Sequence, residues 1–360
     1  MALIPWSLPY IDDKEKELVN LAIDSTWLSM GPYVDEFERM LADIVGTKYC
    51  VSTSNGTTAI HLSFLSLGLN SKSVVAIPAY GFLAAANIAT QMEIKIQFYD
   101  LDRNTMNIES SELSRLAELK VDAIILIQNY GNMNNMKQIE EWAADNKVIL
   151  IEDAAESLGS KYGTRMSGSF GNVSTMSFHG AKTITTGEGG AVFTNNEELY
   201  AQLLLYRSHG VSKVRYKHEL PGHNFRMSNL QGALGVAQLT KLDQVLQRKR
   251  EIQERYFSKF ENTAWKTLEI LENSDPVLWA FPVWLKEENN VVLDLTVANL
   301  ENNGIEVRRG FYSANRLSIY GEIGEFPISD AFSKGCLILP SYFKLTDEQI
   351  DLICRVVLEA

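Results

Sequence analysis

Lys147-Val148-Ile149-Leu150-Ile151-Glu152-Asp153 is a mostly aliphatic run that ends on two acids. Such a run reads as a strand buried on both faces of a sheet. The same β-like texture recurs at residues 49–53, 74–78, 94–99, 123–128, 173–178 and 191–194. Helical spacing fills several of the gaps, at 35–45, 58–67 and 136–145. Strands alternating with helices imply a mostly parallel, doubly wound α/β sheet covered on both faces. Ligands in such sheets collect at the carboxyl ends of the strands. Asp153 stands at one of those ends.

About thirty residues further on comes Ser177-Phe178-His179-Gly180-Ala181-Lys182-Thr183-Ile184-Thr185-Thr186-Gly187-Glu188-Gly189-Gly190. Most lysines are solvated surface charges. Lys182, set between a strand-like run and a Gly-rich turn, is placed for chemistry instead. Asp153 taken singly reads equally as a cap for the next helix. Together the two suit pyridoxal phosphate, PLP: an amine bonds the aldehyde, and a carboxylate keeps the pyridine nitrogen protonated. A phosphate needs donors. Ser54-Asn55-Gly56-Thr57-Thr58, between a strand and a helix, offers free N–H groups, a helix dipole and hydroxyls. It also reads as an ordinary turn with an N-cap. Ser177 adds a hydroxyl, and Phe82 is either a ring-stacking aromatic or a core one.

The chain of 360 residues is 46% hydrophobic and 22% charged, enough for a large core and two domains. A net charge of -12 argues against non-specific binding to nucleic acid or an anionic membrane. An anionic substrate then needs a local basic patch. Arg207, His209, Lys213, Arg215, Lys217 and His218 form one candidate, which reads equally as a solvated loop; Arg308-Arg309 form another. Cys50, Cys336 and Cys354 lack metal-ligand spacing and favour free thiols in a reducing, cytoplasmic compartment. The first residues lack the pattern of a signal peptide, and 74–89 is too short and broken to span a bilayer. Residues 228–260 read as one long helix that bridges two domains. Beyond it, strands at 279–285, 305–308 and 336–339 and helices at 297–302 and 347–358 suggest a small α+β domain. The expected division is a large domain over 1–245 and a small one over 246–360.

Five segments carry a resemblance: Asn55-Gly56-Thr57-Thr58-Ala59, Glu152-Asp153-Ala154-Ala155-Glu156, Gly168-Ser169-Phe170-Gly171, Ser177 to Gly190, and Asn224-Phe225-Arg226-Met227-Ser228-Asn229. In these the chain, from about Trp27 onward, resembles the DegT/DnrJ-type nucleotide-sugar aminotransferases, and most closely sugar 4-aminotransferases of the perosamine-synthase kind. The resemblance implies a fold type I enzyme, like aspartate aminotransferase, working as a homodimer with shared active sites. It implies that Lys182 bonds the cofactor, that Asp153 meets the pyridine nitrogen and that Glu156 lies beside the ring hydroxyl. Gly56, Thr57 and Ser177 match the phosphate cradle, Phe82 the stacking aromatic, and Asn224 a residue reaching the neighbouring subunit's phosphate. Trp27, Lys213, Arg215, His218, Arg308 and Asn315 are the expected substrate contacts. The implied reaction moves nitrogen from glutamate, through pyridoxamine phosphate, to a nucleotide-linked 4-keto-6-deoxy sugar for surface polysaccharide such as O-antigen.

Two stretches depart from the family pattern. Gln128-Asn129-Tyr130-Gly131 stands where relatives usually carry His-Leu-Tyr-Gly, and Phe311-Tyr312-Ser313-Ala314-Asn315-Arg316 replaces a Pro-Leu/Met-His segment. Both regions lie near the substrate in relatives. A 3-keto sugar or cyclitol is therefore an alternative substrate. Related dehydratases typically exchange the lysine for histidine, and Lys182 argues against that reaction. A non-catalytic regulator is the remaining alternative, and the intact lysine–acid pair argues against it.

Overall fold

Ala123-Ile124-Ile125-Leu126-Ile127 is buried at every position, and its side chains divide between two cores. Ile125 joins Val75, Ile77 and Ile151 on one face; Ile124 and Leu126 join Ala76 and Leu150 on the other. That alternation is the period-two geometry of a strand sandwiched between helical layers. The structure is a computed structural model that describes residues 3–212, 214 and 216–359. Its strands are β1 (Tyr49–Thr53), β2 (Val74–Pro78), β3 (Lys95–Tyr99), β4 (Ala123–Ile127), β5 (Ile149–Asp153), β6 (Lys161–Tyr162) and β7 (Arg165–Met166). There follow β8 (Val173–Ser177), β9 (Gly190–Thr194), β10 (Trp265–Lys266), β11 (Ser274–Asp275), β12 (Phe281–Leu285), β13 (Arg308–Arg309) and β14 (Cys336–Leu339). The main sheet runs β1-β9-β8-β5-β4-β2-β3. From β8 to β3 it is parallel; β9 alone runs antiparallel to its two neighbours.

The helices are α1 (Asp13–Asp24), α2 (Pro32–Val45), α3 (Gly56–Ser66), α4 (Ala84–Gln91), α5 (Ser110–Leu119) and α6 (Met136–Asn146). The chain continues with α7 (Glu197–Arg207), α8 (Asn229–Leu239), α9 (Leu242–Phe260), α10 (Asn290–Asn302), α11 (Pro327–Gly335) and α12 (Asp347–Leu358). Leu62 and Phe64 of α3, Ile88 of α4 and Leu203 of α7 cover one sheet face. Leu113 and Leu116 of α5 and Ile139 of α6 cover the other. This is the doubly wound sheet expected from the alternation of runs. A four-stranded antiparallel sheet, β10-β12-β14-β13, follows in the C-terminal part. Its Phe281, Val283, Leu337 and Leu339 share one continuous core with Tyr80, Tyr130 and Leu126 of the first part.

Three expectations are corrected. Residues 228–260 are two helices, α8 and α9, broken at Thr240-Lys241. Thr240 Oγ1 bonds back to the Ala237 carbonyl at 2.6 Å, and Lys241 turns aside to pair with Asp12 at 3.0 Å and Glu15 at 2.6 Å. The run at 305–308 is not one strand: Ile305 bridges to Ile4, and only Arg308–Arg309 joins the small sheet. The run at 279–285 enters its sheet only at Phe281, because the Trp279 N–H is taken by the Tyr130 carbonyl at 2.8 Å. The proposed division at 245/246 falls inside α9.

Candidate active site

β1, β5 and β8 run in the same direction, so their carboxyl ends and the N-terminus of α3 meet at one edge of the sheet. There they enclose a cleft of about 620 Å³. Asn55 caps α3: its Oδ1 accepts the Thr58 N–H at 2.8 Å, and Thr58 Oγ1 accepts the Asn55 N–H at 3.2 Å. That box leaves the N–H groups of Gly56 and Thr57 for a ligand. A Cβ at Gly56 would lie 2.9 Å from Ser177 Cβ, so glycine lets the helix end approach the Ser177 hydroxyl. N–H groups, dipole and hydroxyl together form an anion cradle.

Asp153 ends β5 and is 5% exposed. Its Oδ1 accepts from the Ala155 N–H at 3.1 Å and from Thr175 Oγ1 at 3.5 Å. Burial pushes its carboxyl up to about 6, against the pull of the Ala155 N–H and the Lys182 charge. A desolvated acid facing a cleft is suited to a cationic ring N–H. Glu156, one turn on, is also buried; its Oε1 accepts from Lys182 Nζ at 3.2 Å and its Oε2 from the Tyr130 N–H at 2.8 Å. Tyr130 bends to φ 56°, a strained left-handed conformation for an aromatic residue. Lys182 hangs on the loop after β8, closed by Lys182 N–H to His179 O and Thr186 N–H to Phe178 O, both 2.9 Å. Phe82, 62% exposed, stands on the cleft wall.

Cradle, desolvated acid, free amine and exposed ring are the donor set that PLP requires, and the residues fit it. Residues 9–358 match the DegT/DnrJ/EryC1/StrS aminotransferase family. The chain belongs to that family. It is 33% identical to the GDP-perosamine synthase of Vibrio cholerae over 360 residues, covering 99% of this chain and 98% of that protein. It is 35% identical to the GDP-perosamine synthase of Escherichia coli O157:H7 over 367 residues, covering 100% and 99%. Among solved structures, E. coli GDP-4-keto-6-deoxy-D-mannose-3-dehydratase with bound hydrated PLP gives a TM-score of 0.90 at 26% identity, covering 99% and 100%. The match begins at residue 9, upstream of the Trp27 at which the resemblance was read to start.

As a DegT/DnrJ-type aminotransferase, the protein brings Gly56, Thr57, Phe82, Asp153, Glu156, Ser177 and Lys182 to one cleft, as the motifs implied. Other expected contacts do not line it. Asn224 is exposed, with its Oδ1 taken by Arg226 Nε at 2.9 Å. Trp27 is 61% exposed, its indole N–H on the Met30 carbonyl and its own carbonyl on Asn229 Nδ2. His218 is exposed and bonds the His209 carbonyl at 2.7 Å. Asn315 is half-buried in a short 3₁₀ turn. Arg308 pairs with Glu306 at 2.5 Å, and its guanidinium stands 5.9 Å from the ring of Trp6, which lines the cleft. Lys213 and Arg215 lie outside the described residues.

Two residues read as near the substrate have other tasks. Arg207 is buried and pairs with Glu38 at 2.6 Å, so it leaves the basic stretch. Gln128 is buried beneath the site and donates to Glu152 Oε1 at 3.3 Å. Glu152 also accepts from Ser167, Gly168, Phe170 and Ser174. The Gly168–Gly171 motif thus serves a buried carboxylate, not the ligand; burial raises that carboxyl's pKa, with the Gly168 and Phe170 N–H groups opposing. Sequence reading missed Trp6 and Trp279 in the cleft wall; Phe311, which opens the departing stretch 311–316, lines it as well. An aromatic side chain is by itself a signal that core residues share.

Proposed function

We propose that the protein transfers an amino group from glutamate to the 4-keto carbon of a nucleotide-linked 6-deoxy sugar, as a perosamine-synthase-like enzyme. The observation that carries this reading is the placement of Lys182, Glu156 and Asp153 in one cleft whose far end is the α3 N-terminus. PLP, when bound, supplies the electron sink for the carbon that exchanges its nitrogen. Asp153 then holds the proton on the ring nitrogen, and desolvation strengthens that contact. Gly56, Thr57 and Ser177 would hold its phosphate. Lys182 carries the proton between carbons as general acid and base, and Glu156 orients its amine.

Two relatives bearing the name GDP-perosamine synthase support the 4-keto sugar and a guanosine nucleotide. Lys182 supports transamination over dehydration. Glutamate follows from the family resemblance. A homodimer is supported by the exposed Leu21, Ile23, Trp27 and Leu28 around the end of α1. Cytoplasmic residence is supported by three buried free thiols; among the described residues no helix is long and apolar enough to cross a membrane. The deciding experiment offers a panel of nucleotide-linked 3-keto and 4-keto sugars with glutamate and follows amino-sugar formation by mass spectrometry. Amination of only 3-keto sugars, or of none, overturns the reading.

A further inference from the structure

Trp279 is gripped at each of its polar groups. Its indole N–H donates to the Ala181 carbonyl at 2.6 Å, next to Lys182 in the chain. Its backbone N–H donates to the Tyr130 carbonyl at 2.8 Å, and its own carbonyl accepts from Lys249 Nζ at 2.6 Å. Trp6 meets the ring edge-on, with centroids 5.5 Å apart. The ring's face is thereby presented to Lys182, whose Nζ lies 3.8 Å from the ring centroid. Glu156 Oε1 holds the same amine at 3.2 Å, and the Lys182 side chain is only 14% exposed.

Lys249 has no part in the proposed chemistry. It is 4% exposed on α9, and its amine meets three neutral oxygens: Trp279 O and Ser341 O at 2.6 Å and Ser341 Oγ at 3.1 Å. Burying a cation without an acid partner is costly. Burial accordingly pushes this amine down to about 7. Its hydrogen bond fixes the Trp279 carbonyl, and through it the indole.

We propose that Trp279, braced by Lys249, is a positioning residue that holds the Lys182 amine beside Glu156 and out of water whenever that amine is free. The inference rests on the aminotransferase reading, in which Lys182 must work as a free amine for part of each cycle. A cation over an indole face is the favourable geometry for such retention, and its loss corresponds to about a threefold to thirtyfold change in an equilibrium.

The first test uses the cofactor-free protein. Acetic anhydride is added at fixed pH, and acetylation of Lys182 is timed by peptide mass spectrometry. Trp279→Leu should label at Lys182 about tenfold faster than the unaltered chain, with other lysines unchanged. Trp279→Phe, which keeps an aromatic face, should stay within about threefold. With cofactor added, Trp279→Leu should keep the visible band of bound PLP and the KM for glutamate while kcat falls about tenfold. Equal labelling of Lys182 in all three proteins overturns the proposal, as does a loss carried wholly by KM. Should Trp279→Leu not fold, Trp279→Met, whose unbranched chain adapts to irregular gaps, repeats the comparison. If the unaltered protein shows no PLP band, the aminotransferase reading fails, and the labelling still decides whether Trp279 positions Lys182.

Discussion

Glu156 takes the ammonium of Lys182 on one carboxylate oxygen, at 3.2 Å, and grips the Tyr130 N–H with the other, at 2.8 Å. The acid is thus fixed to the backbone and the amine is fixed to the acid. Removing the amine removes the proton carrier. Lys182→Ala should lower turnover by at least ~10²–10⁴-fold. It should also abolish the visible band that depends on the lysine–cofactor bond, while circular dichroism stays unchanged. Retention of both turnover and band would show that another group does this work.

Asp153 makes a pH-dependent prediction. Burial raises its carboxyl from 3.8 to about 6. Between those values the folded, cofactor-free protein keeps a proton that the unfolded chain has released. Stability therefore falls as pH rises across that window, by about 3 kcal/mol in the limit. Asp153→Asn should remove this contribution, read as the difference in urea midpoint between about pH 4 and about pH 7. The sign is opposite for the ligand: PLP affinity should rise with pH through about 6 in the unaltered protein, as the carboxylate forms, and that rise should be absent from the variant.

Gly190 opens β9 beneath the phosphate turn. A Cβ there would stand 2.4 Å from the Asn55 carbonyl oxygen and 2.7 Å from Thr53 Oγ1. Backbone must move to admit it. Gly190→Ala should cost about 1–3 kcal/mol in thermal or urea unfolding and weaken PLP binding. Gly335→Ala is the control, because nothing lies within 4 Å of its added methyl; its stability should change by no more than about 0.5 kcal/mol.

Arg207 was expected in a basic patch or a solvated loop and is instead a buried partner of Glu38 and the Ser52 carbonyl. Arg207→Met should cost about 3–5 kcal/mol by stranding the Glu38 carboxylate. The KM for the nucleotide sugar should stay unchanged at a temperature where the variant is folded. A raised KM with an unaltered melting temperature would return this arginine to the substrate.

The strands and the cofactor motifs were legible because each is a contiguous segment with its own local chemistry. Residues 149–153 are aliphatic up to their terminal acids, and Asn55 to Thr58 carries both halves of its capping box. Lys182 needed only a strand before it and a glycine turn after it. The helix at Asp13–Asp24 escaped notice because its two buried positions are a charged residue, Glu15, and a small one, Ala22. The break after α8 depends on Lys241 finding Asp12 and Glu15, partners more than two hundred residues away. Trp6 and Trp279 were illegible for the same reason: an indole acquires a role from what it covers, and what it covers is set by tertiary pairing. Arg207 was grouped with the basic stretch because charge in a sequence does not show which arginine will be buried.

The Trp6 backbone N–H bonds Glu306, 300 positions away, and its indole N–H bonds the Ile338 carbonyl. This has a consequence for synthesis. A growing chain at ~5–20 residues per second exposes Lys182 and Asp153 well before β14 has left the ribosome. At that stage both acceptors that hold Trp6 in the aromatic wall, Glu306 and the Ile338 carbonyl, are still to be made. The aromatic wall of the pocket is therefore complete only once β14 has been made, when the leading segment folds back onto that sheet.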